Sequence, residues 1–318
     1  MSKDLATHQE FANKTVRIAT RESPLALWQA NFIASQIRSR FPHTTVEICG
    51  MSTAGDRWLS APLSEIGGKG LFIKELEVAM LQGEADIAVH SMKDLPAQLP
   101  DGFKLAAIGF RAPVEDAVVS PHGDFWSLPA GARVGSSSLR RQAQLLRLRP
   151  DLEFVPVRGN VDTRIGRIAE GEVDAVILAL AGLQRLEKNM DQVHPLPVET
   201  SLPAPGQGAL GIECVAGSWV EPLIAQLDDA VVHTCVAAER QVSLGLGADC
   251  SLPVAAYAQM SADDKLLELR ALVGSERGTQ TAWASARGED PIRVGQTVVE
   301  RLLDGGAQHI LDSLRESK

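Results

Sequence analysis

The stretch Thr15-Val16-Arg17-Ile18-Ala19-Thr20-Arg21-Glu22-Ser23-Pro24-Leu25-Ala26-Leu27-Trp28 decides the fold. Residues 15–20 read as a strand. Ser23 is a helix N-cap type and Pro24 suits the first helical position, so a helix starts within three residues of the strand's end. Leu25, Trp28 and Phe32 recur on one helical face, which is expected to point inward, and Pro42 stops the helix. A strand feeding directly into a helix is one β-to-α unit of a parallel sheet.

Further along, 46–53 reads as a strand, Gly67-Gly68-Lys69-Gly70 as a turn, 72–81 as a helix and 85–89 as a strand. The same grammar returns from Asp116, with strands at 117–120, 133–136, 154–158 and 174–180 and helices at 139–148 and 163–170. The proline-rich run 195–205 reads as a return linker, after which strand 209–214 rejoins the first sheet. Beyond Val231 come a helix at 232–244, strands at 254–259, 266–273 and 280–286, and a closing helix over 292–314.

The expected fold class is α/β: two solute-binding-protein-like lobes with a cleft between them, plus a smaller α+β third domain. Domain 1 is 14–110 with 209–227, domain 2 is 114–203 and domain 3 is 230–318. Ligands of such folds sit near the carboxyl ends of strands. Residues 1–13 are expected to be unordered.

The chain has 318 residues, 45% of them hydrophobic and 22% charged, within the globular range. A net charge of −9 argues against a nucleic-acid or anionic-membrane surface. The start of the chain has no apolar leader and no later run is long enough to span a bilayer, so a cytoplasmic location is expected. The four cysteines, Cys49, Cys214, Cys235 and Cys250, lack the paired spacing of a zinc site or a disulfide scaffold. No metal is expected.

Arg21, Arg140, Arg141, Arg158, Arg164 and Arg185 all fall at strand ends or helix starts. One such arginine is ordinarily a solvated surface group. Six at equivalent topological positions point to a polyanionic ligand, because the guanidinium fork matches carboxylate or phosphate. Ser136, Ser137 and Ser138 add hydroxyls before a helix start. The Gly67–Gly70 turn lacks Walker spacing, so it reads as a loop whose Lys69 can touch an anion, or as a plain turn. In His90-Ser91-Met92-Lys93-Asp94-Leu95-Pro96 a carboxylate follows an apolar strand, where it can move protons or stabilise positive charge; a surface turn is the competing reading. Cys250 follows a glycine-rich turn that could project its thiol as a nucleophile; a buried cysteine closing the loop is the competing and, from the residues alone, the favoured reading.

In this order, Arg17–Ala26, Gly-Gly-Lys-Gly-Leu-Phe at 67–72, His90–Pro96, Gly-Ser-Ser-Ser-Leu-Arg-Arg-Gln at 135–142, Arg158-Gly159-Asn160 and Leu-Pro-Ala-Pro-Gly-Gln-Gly-Ala-Leu-Gly-Ile-Glu-Cys at 202–214 resemble the porphobilinogen deaminase family. The resemblance runs from about Lys14 to the C-terminus. It implies an enzyme that condenses four porphobilinogen molecules into hydroxymethylbilane, with loss of ammonia giving an electrophile that a covalent primer attacks. The implied cofactor is dipyrromethane, attached to Cys250 by a thioether. Asp94 matches the catalytic carboxylate. Arg21, Ser23, Gln29, Lys69, Arg158, Arg185 and Gln207 match substrate-side positions. Lys93, Ser136, Ser138, Arg140, Arg141 and Arg164 match cofactor-side positions. The resemblance also implies a monomer whose only partner is its small-molecule substrate. The alternatives are a non-catalytic solute-binding protein, which leaves Cys250 and the third domain unexplained, and a nucleotide-dependent transferase, which the absent Walker spacing disfavours.

Overall fold

The computed structural model describes residues 11–53, 73–248, 251–261 and 266–316. In chain order they form β1 (Thr15–Arg21), α1 (Pro24–Arg40), β2 (Thr45–Met51), α2 (Lys74–Leu81), β3 (Ile87–Ser91) and β4 (Phe103–Gly109). Then come β5 (Asp116–Val119), β6 (Arg133–Gly135), α3 (Leu139–Leu148), β7 (Glu153–Val155), α4 (Val161–Ala169), β8 (Ala175–Ala179), α5 (Leu180–Arg185) and β9 (Val193–Pro195). The chain ends with β10 (Leu210–Val215), α6 (Glu221–Ile224), α7 (Ala230–Gly245), β11 (Val254–Met260), β12 (Leu267–Gly274), β13 (Thr281–Gly288), α8 (Pro291–Asp304) and α9 (Ala307–Glu316). The fold is mixed α/β, with two five-stranded sheets flanked by helices and a third, smaller sheet of three strands. Among the described residues no helix is long and apolar enough to cross a membrane.

The described chain divides into two compact units. One holds residues up to 53, 73–110 and 209–233; the other holds 111–208 and the described residues from 234 onward. In the first, the strand order is β2-β1-β3-β10-β4, with β1 parallel to β2 and β3 and with β10 antiparallel to both β3 and β4. Ser23 caps α1 by accepting from the Ala26 N–H, with Pro24 in the first turn. The buried face of α1 differs from the expected one: Ala30, Ile33, Ala34 and Ile37 enter the core with Val16, Ile18, Ile87 and Ile212 of the sheet, while Leu25, Trp28 and Phe32 are half-buried, with Trp28 stacked on Phe32.

Three further sequence expectations need correction here. The strand expected at 85–89 runs two residues later, because the Asp86 carboxylate is anchored: it accepts from the Arg17 backbone N–H and from the Arg17 guanidinium. β4 was not expected; its inner half is buried on both faces and shows no alternation to read. Residues 11–13 are packed rather than unordered. Phe11 is buried edge-on against Phe41, its carbonyl accepts from Thr44 Oγ1, and the Asn13 N–H donates to the His43 carbonyl.

In the second unit the sheet order is β7-β6-β8-β5-β9, with β6 parallel to both its neighbours and β5 antiparallel to both of its own. The antiparallel sheet β11-β12-β13 belongs to the same unit. One of its faces packs on α7, α8 and α9 through Val242, Leu269, Val298, Leu302 and Leu311. Towards α3 it comes so close that a Cβ on Gly278, already at φ +68°, would collide with the Ala143 carbonyl. The single closing helix expected at 292–314 is two helices, broken where the Gly305 N–H caps α8 through the Arg301 carbonyl and Gly306 turns to φ +90°.

Asp116, the first residue of β5, is completely buried. Its carboxylate accepts from both terminal nitrogens of Arg140, from Nε and Nη2 of Arg141, from Ser201 Oγ and from Gln207 Nε2. Burial alone would raise its pKa, but the two guanidinium groups outweigh burial and hold the carboxyl well below the usual carboxylate range. Asp116→Asn leaves two buried guanidinium groups without their counter-charge and is expected to cost about 3–5 kcal/mol of unfolding free energy at neutral pH, read from urea melts. The native carboxyl titrates below its unfolded value of about 3.9, so this contribution is complete above that pH and is lost as pH falls below it. The stability gap between parent and variant is therefore constant from about pH 8 to 5 and narrows towards about pH 3; a gap that stays constant throughout contradicts the assignment.

Candidate functional site

In the first unit the candidate residues gather at the carboxyl ends of two adjacent parallel strands. Arg21 is the last residue of β1, and the β1–β3 ladder aligns Ala19 with Ala88. Ser23 sits at the head of α1 and Gln29 is buried in its second turn, where its Nε2 donates to Ser91 Oγ at 2.7 Å. Directly after β3 the chain makes a single 3₁₀ turn, Met92–Asp94, carrying Lys93 and Asp94. Met92 and Leu95 are buried on either side, while Asp94 between them is exposed. The sequence thus places one carboxylate at the surface by burying its apolar neighbours.

In the second unit Ser136 follows β6 and Ser138 occupies the N-cap position of α3. The Ser138 N–H donates to Ser136 Oγ at 3.2 Å. Arg140 and Arg141 fill the first turn of α3, buried, with the bonds to Asp116 already described; Arg140 also donates to the Leu202 carbonyl and Arg141 to the Ile177 carbonyl. Sequence reading supplied no protein partner for this pair. Arg158 and Arg164, half-buried, flank Gly159, whose φ of +106° turns the chain into α4; Arg164 Nε donates to the Gly159 carbonyl.

Arg185 departs from the expected placement at a strand end or helix start, since it closes α5 at its C-terminal end. It is buried and donates to the Gly208 carbonyl, and burial pushes its guanidinium down to about 10, still a cation at neutral pH. Gln207 is buried beside it in sequence, its amide nitrogen donating to the Val114 carbonyl and to Asp116. Glu239 of α7, fully buried, closes the same region by accepting from Arg111, from the Gly206 N–H and from the Ala258 N–H. Lys69 and Cys250 lie outside the described residues, as does the Gly67–Gly70 turn. Of the other cysteines, Cys214 and Cys235 are buried and Cys49 is half-buried; burial pushes the Cys214 and Cys49 thiols up, away from the nucleophilic thiolate.

Sequence reasoning missed Asp116, Ser201 and Glu239. The available signal was a charged or polar residue inside or bordering an apolar run, which must find a buried partner.

In the second unit guanidinium groups and serine hydroxyls stand at strand ends, a donor set that suits carboxylates; in the first, a carboxylate stands exposed on a fixed turn. Residues 16–220 match the family model described as porphobilinogen deaminase, dipyrromethane cofactor binding domain, and residues 233–304 match that for the porphobilinogen deaminase C-terminal domain. The chain belongs to the porphobilinogen deaminase family. It is 50% identical over 303 residues to porphobilinogen deaminase of Stenotrophomonas maltophilia strain K279a, covering 94% of this chain and 99% of that protein. It is 49% identical over 304 residues to that of Thiobacillus denitrificans, again 94% and 99%. Against Acidithiobacillus ferrooxidans strain ATCC 53993 the figures are 48% over 307 residues, 95% and 99%.

A dipyrromethane assembled from two porphobilinogen units would carry an acetate and a propionate on each ring. The donor set at the ends of β6 and β7, two hydroxyls and the half-buried Arg158 and Arg164, fits such a group chemically. Arg140→Lys keeps the charge beside Asp116 but loses the planar fork. It is expected to cost about 1.5–3 kcal/mol in urea melts, the range for a hydrogen bond to a charged group.

Proposed function

We propose that this chain joins four porphobilinogen molecules head to tail, releasing ammonia and hydroxymethylbilane, for tetrapyrrole biosynthesis, with its dipyrromethane held as a thioether on Cys250. The observation that carries the reading is Asp94: an exposed carboxylate on a turn between the buried Met92 and Leu95, within a chain that matches the family over residues 16–220 and 233–304. When bound, the dipyrromethane supplies the pyrrole carbon to which each new ring is joined.

Asp94 stabilises positive charge as it develops on pyrrole N–H groups and moves the protons released at the reacting carbon. Arg21, Ser23, Gln29, Lys69, Arg158, Arg185 and Gln207 take the substrate side, where guanidinium forks fix the acetate and propionate of porphobilinogen. Lys93, Ser136, Ser138, Arg140, Arg141 and Arg164 take the cofactor side. Arg140 and Arg141 act from a rigid base, because Asp116 fixes both side chains before any ligand arrives.

The division into 14–110 with 209–227, 114–203 and 230–318 belongs to the same proposal, supported by the three separate sheets. So do a cytoplasmic location and a monomeric state; Cys49, Cys214 and Cys235, which form no disulfide among the described residues, suit a reducing compartment. The solute-binding alternative leaves the C-terminal family match over 233–304 without a role.

Asp94→Asn is expected to fold and to bind porphobilinogen, with turnover lower by about 10²–10³-fold, the size of a lost charge-stabilising group at comparable sites. The consumption of porphobilinogen by parent and variant measures this, and turnover close to the parent's removes Asp94 from the chemistry.

A further inference from the structure

Three consecutive residues, His90 and Ser91 at the end of β3 and Met92 at the start of the Asp94 turn, are each held by a different group. The ladder between β1 and β3 stops at Ala88, so the end of β3 keeps a strand partner only on its β10 side, where His90 lies opposite Gly211 and Ser91 opposite Leu210. On the other side Ser91 is held by Gln29 of α1. Met92 donates its N–H to the Ala209 carbonyl, and its sulfur packs so tightly over Gly211 that a Cβ there would collide with it. His90 is buried, and its Nε2 lies 2.9 Å from Oε2 of Glu213 on β10, itself fully buried.

This last pair has no evident stabilising purpose. Glu213 and His90 are diagonal neighbours across the strand pair, and the second carboxylate oxygen, Oε1, has no hydrogen-bond partner among the described residues. Glu77 of α2 lies near enough that burial, and then the Glu213 charge, push its carboxyl up, with His90 partly offsetting. A buried polar pair with an orphaned oxygen and a second acid nearby is costly compared with apolar side chains of similar volume.

We propose that Glu213, acting through His90, is a positioning residue for Asp94. The hydrogen bond between them fixes the last turn of β3 on β10, so that the turn after it presents the Asp94 carboxylate at one place and one angle. This inference rests on the catalytic role proposed for Asp94.

The test compares steady-state kinetics, holoenzyme yield and melting temperature of Glu213→Gln and of His90→Leu/Glu213→Met with the parent, alongside Asp94→Asn. Both pair variants are expected to keep KM within about twofold and to lose about 10–100-fold in kcat, the scale of a reacting group displaced by a fraction of an ångström to an ångström. The double variant replaces the pair with apolar volume, so it is expected to melt at or above the parent and still be slow; it carries the test should Glu213→Gln fail to fold. A folded double variant with the parent's kcat overturns the proposal, as does a loss of activity explained in both variants by lower holoenzyme yield. If Asp94→Asn turns over like the parent, the catalytic reading itself fails. If Asp94→Asn is slow while both pair variants match the parent, only the positioning role fails.

Discussion

The second unit depends on how it keeps one negative charge away from water. Asp116 is buried at the start of β5 and is tolerable there only because four side chains surround it with donors. Those donors come from α3, from the loop at Ser201 and from the segment returning to the first sheet. Satisfying one carboxylate thereby fixes the start of α3 against the proline-rich return. Glu239 does the same from α7, tying Arg111, Gly206 and β11 to one point. Between the two acids, Gly208 adopts φ +86°, where a Cβ would strike the Ala112 carbonyl, so the two crossing strands of chain touch backbone to backbone.

The proposed chemistry draws on that rigidity. Arg140 and Arg141 look, from their position, like free anion receptors at a helix start, yet most of their donors are committed to Asp116 and to main-chain carbonyls. Their contribution to a ligand is a fixed field and few remaining donors, which differs from a flexible surface arginine that must be ordered on binding. In the first unit the same logic applies to a turn: Gln29, Met92 and the His90–Glu213 pair hold everything around Asp94 and leave the carboxylate exposed. The donors are set before ligand arrives in one unit, and the acid is set in the other.

Much of this was legible in the sequence. The Thr15–Trp28 stretch yields β1, its cap and α1 because each local signal agrees with the others. The ordered motifs identified the family and placed Asp94 on a turn after an apolar strand. Legibility failed where a long-range partner decides the outcome. Nothing local says that Arg140 meets Asp116 across 24 residues, or that His90 meets Glu213 across 123, since the β3–β10 register exists only in the folded sheet. β4 escaped because burial on both faces erases alternation, and β3 was displaced because Asp86 was spent on Arg17. The break at Gly305-Gly306 was readable from the glycine pair, but the amphipathic pattern continuing on both sides masked it.

The claim on which the account turns is that Cys250 carries two pyrrole rings. The intact mass of the denatured protein, followed by peptide mapping, tests it most directly. An excess equal to one dipyrromethane is expected, found on the peptide containing Cys250. A protein that remains at its unmodified mass after incubation with porphobilinogen, or an adduct that maps to Cys49, Cys214 or Cys235, contradicts it.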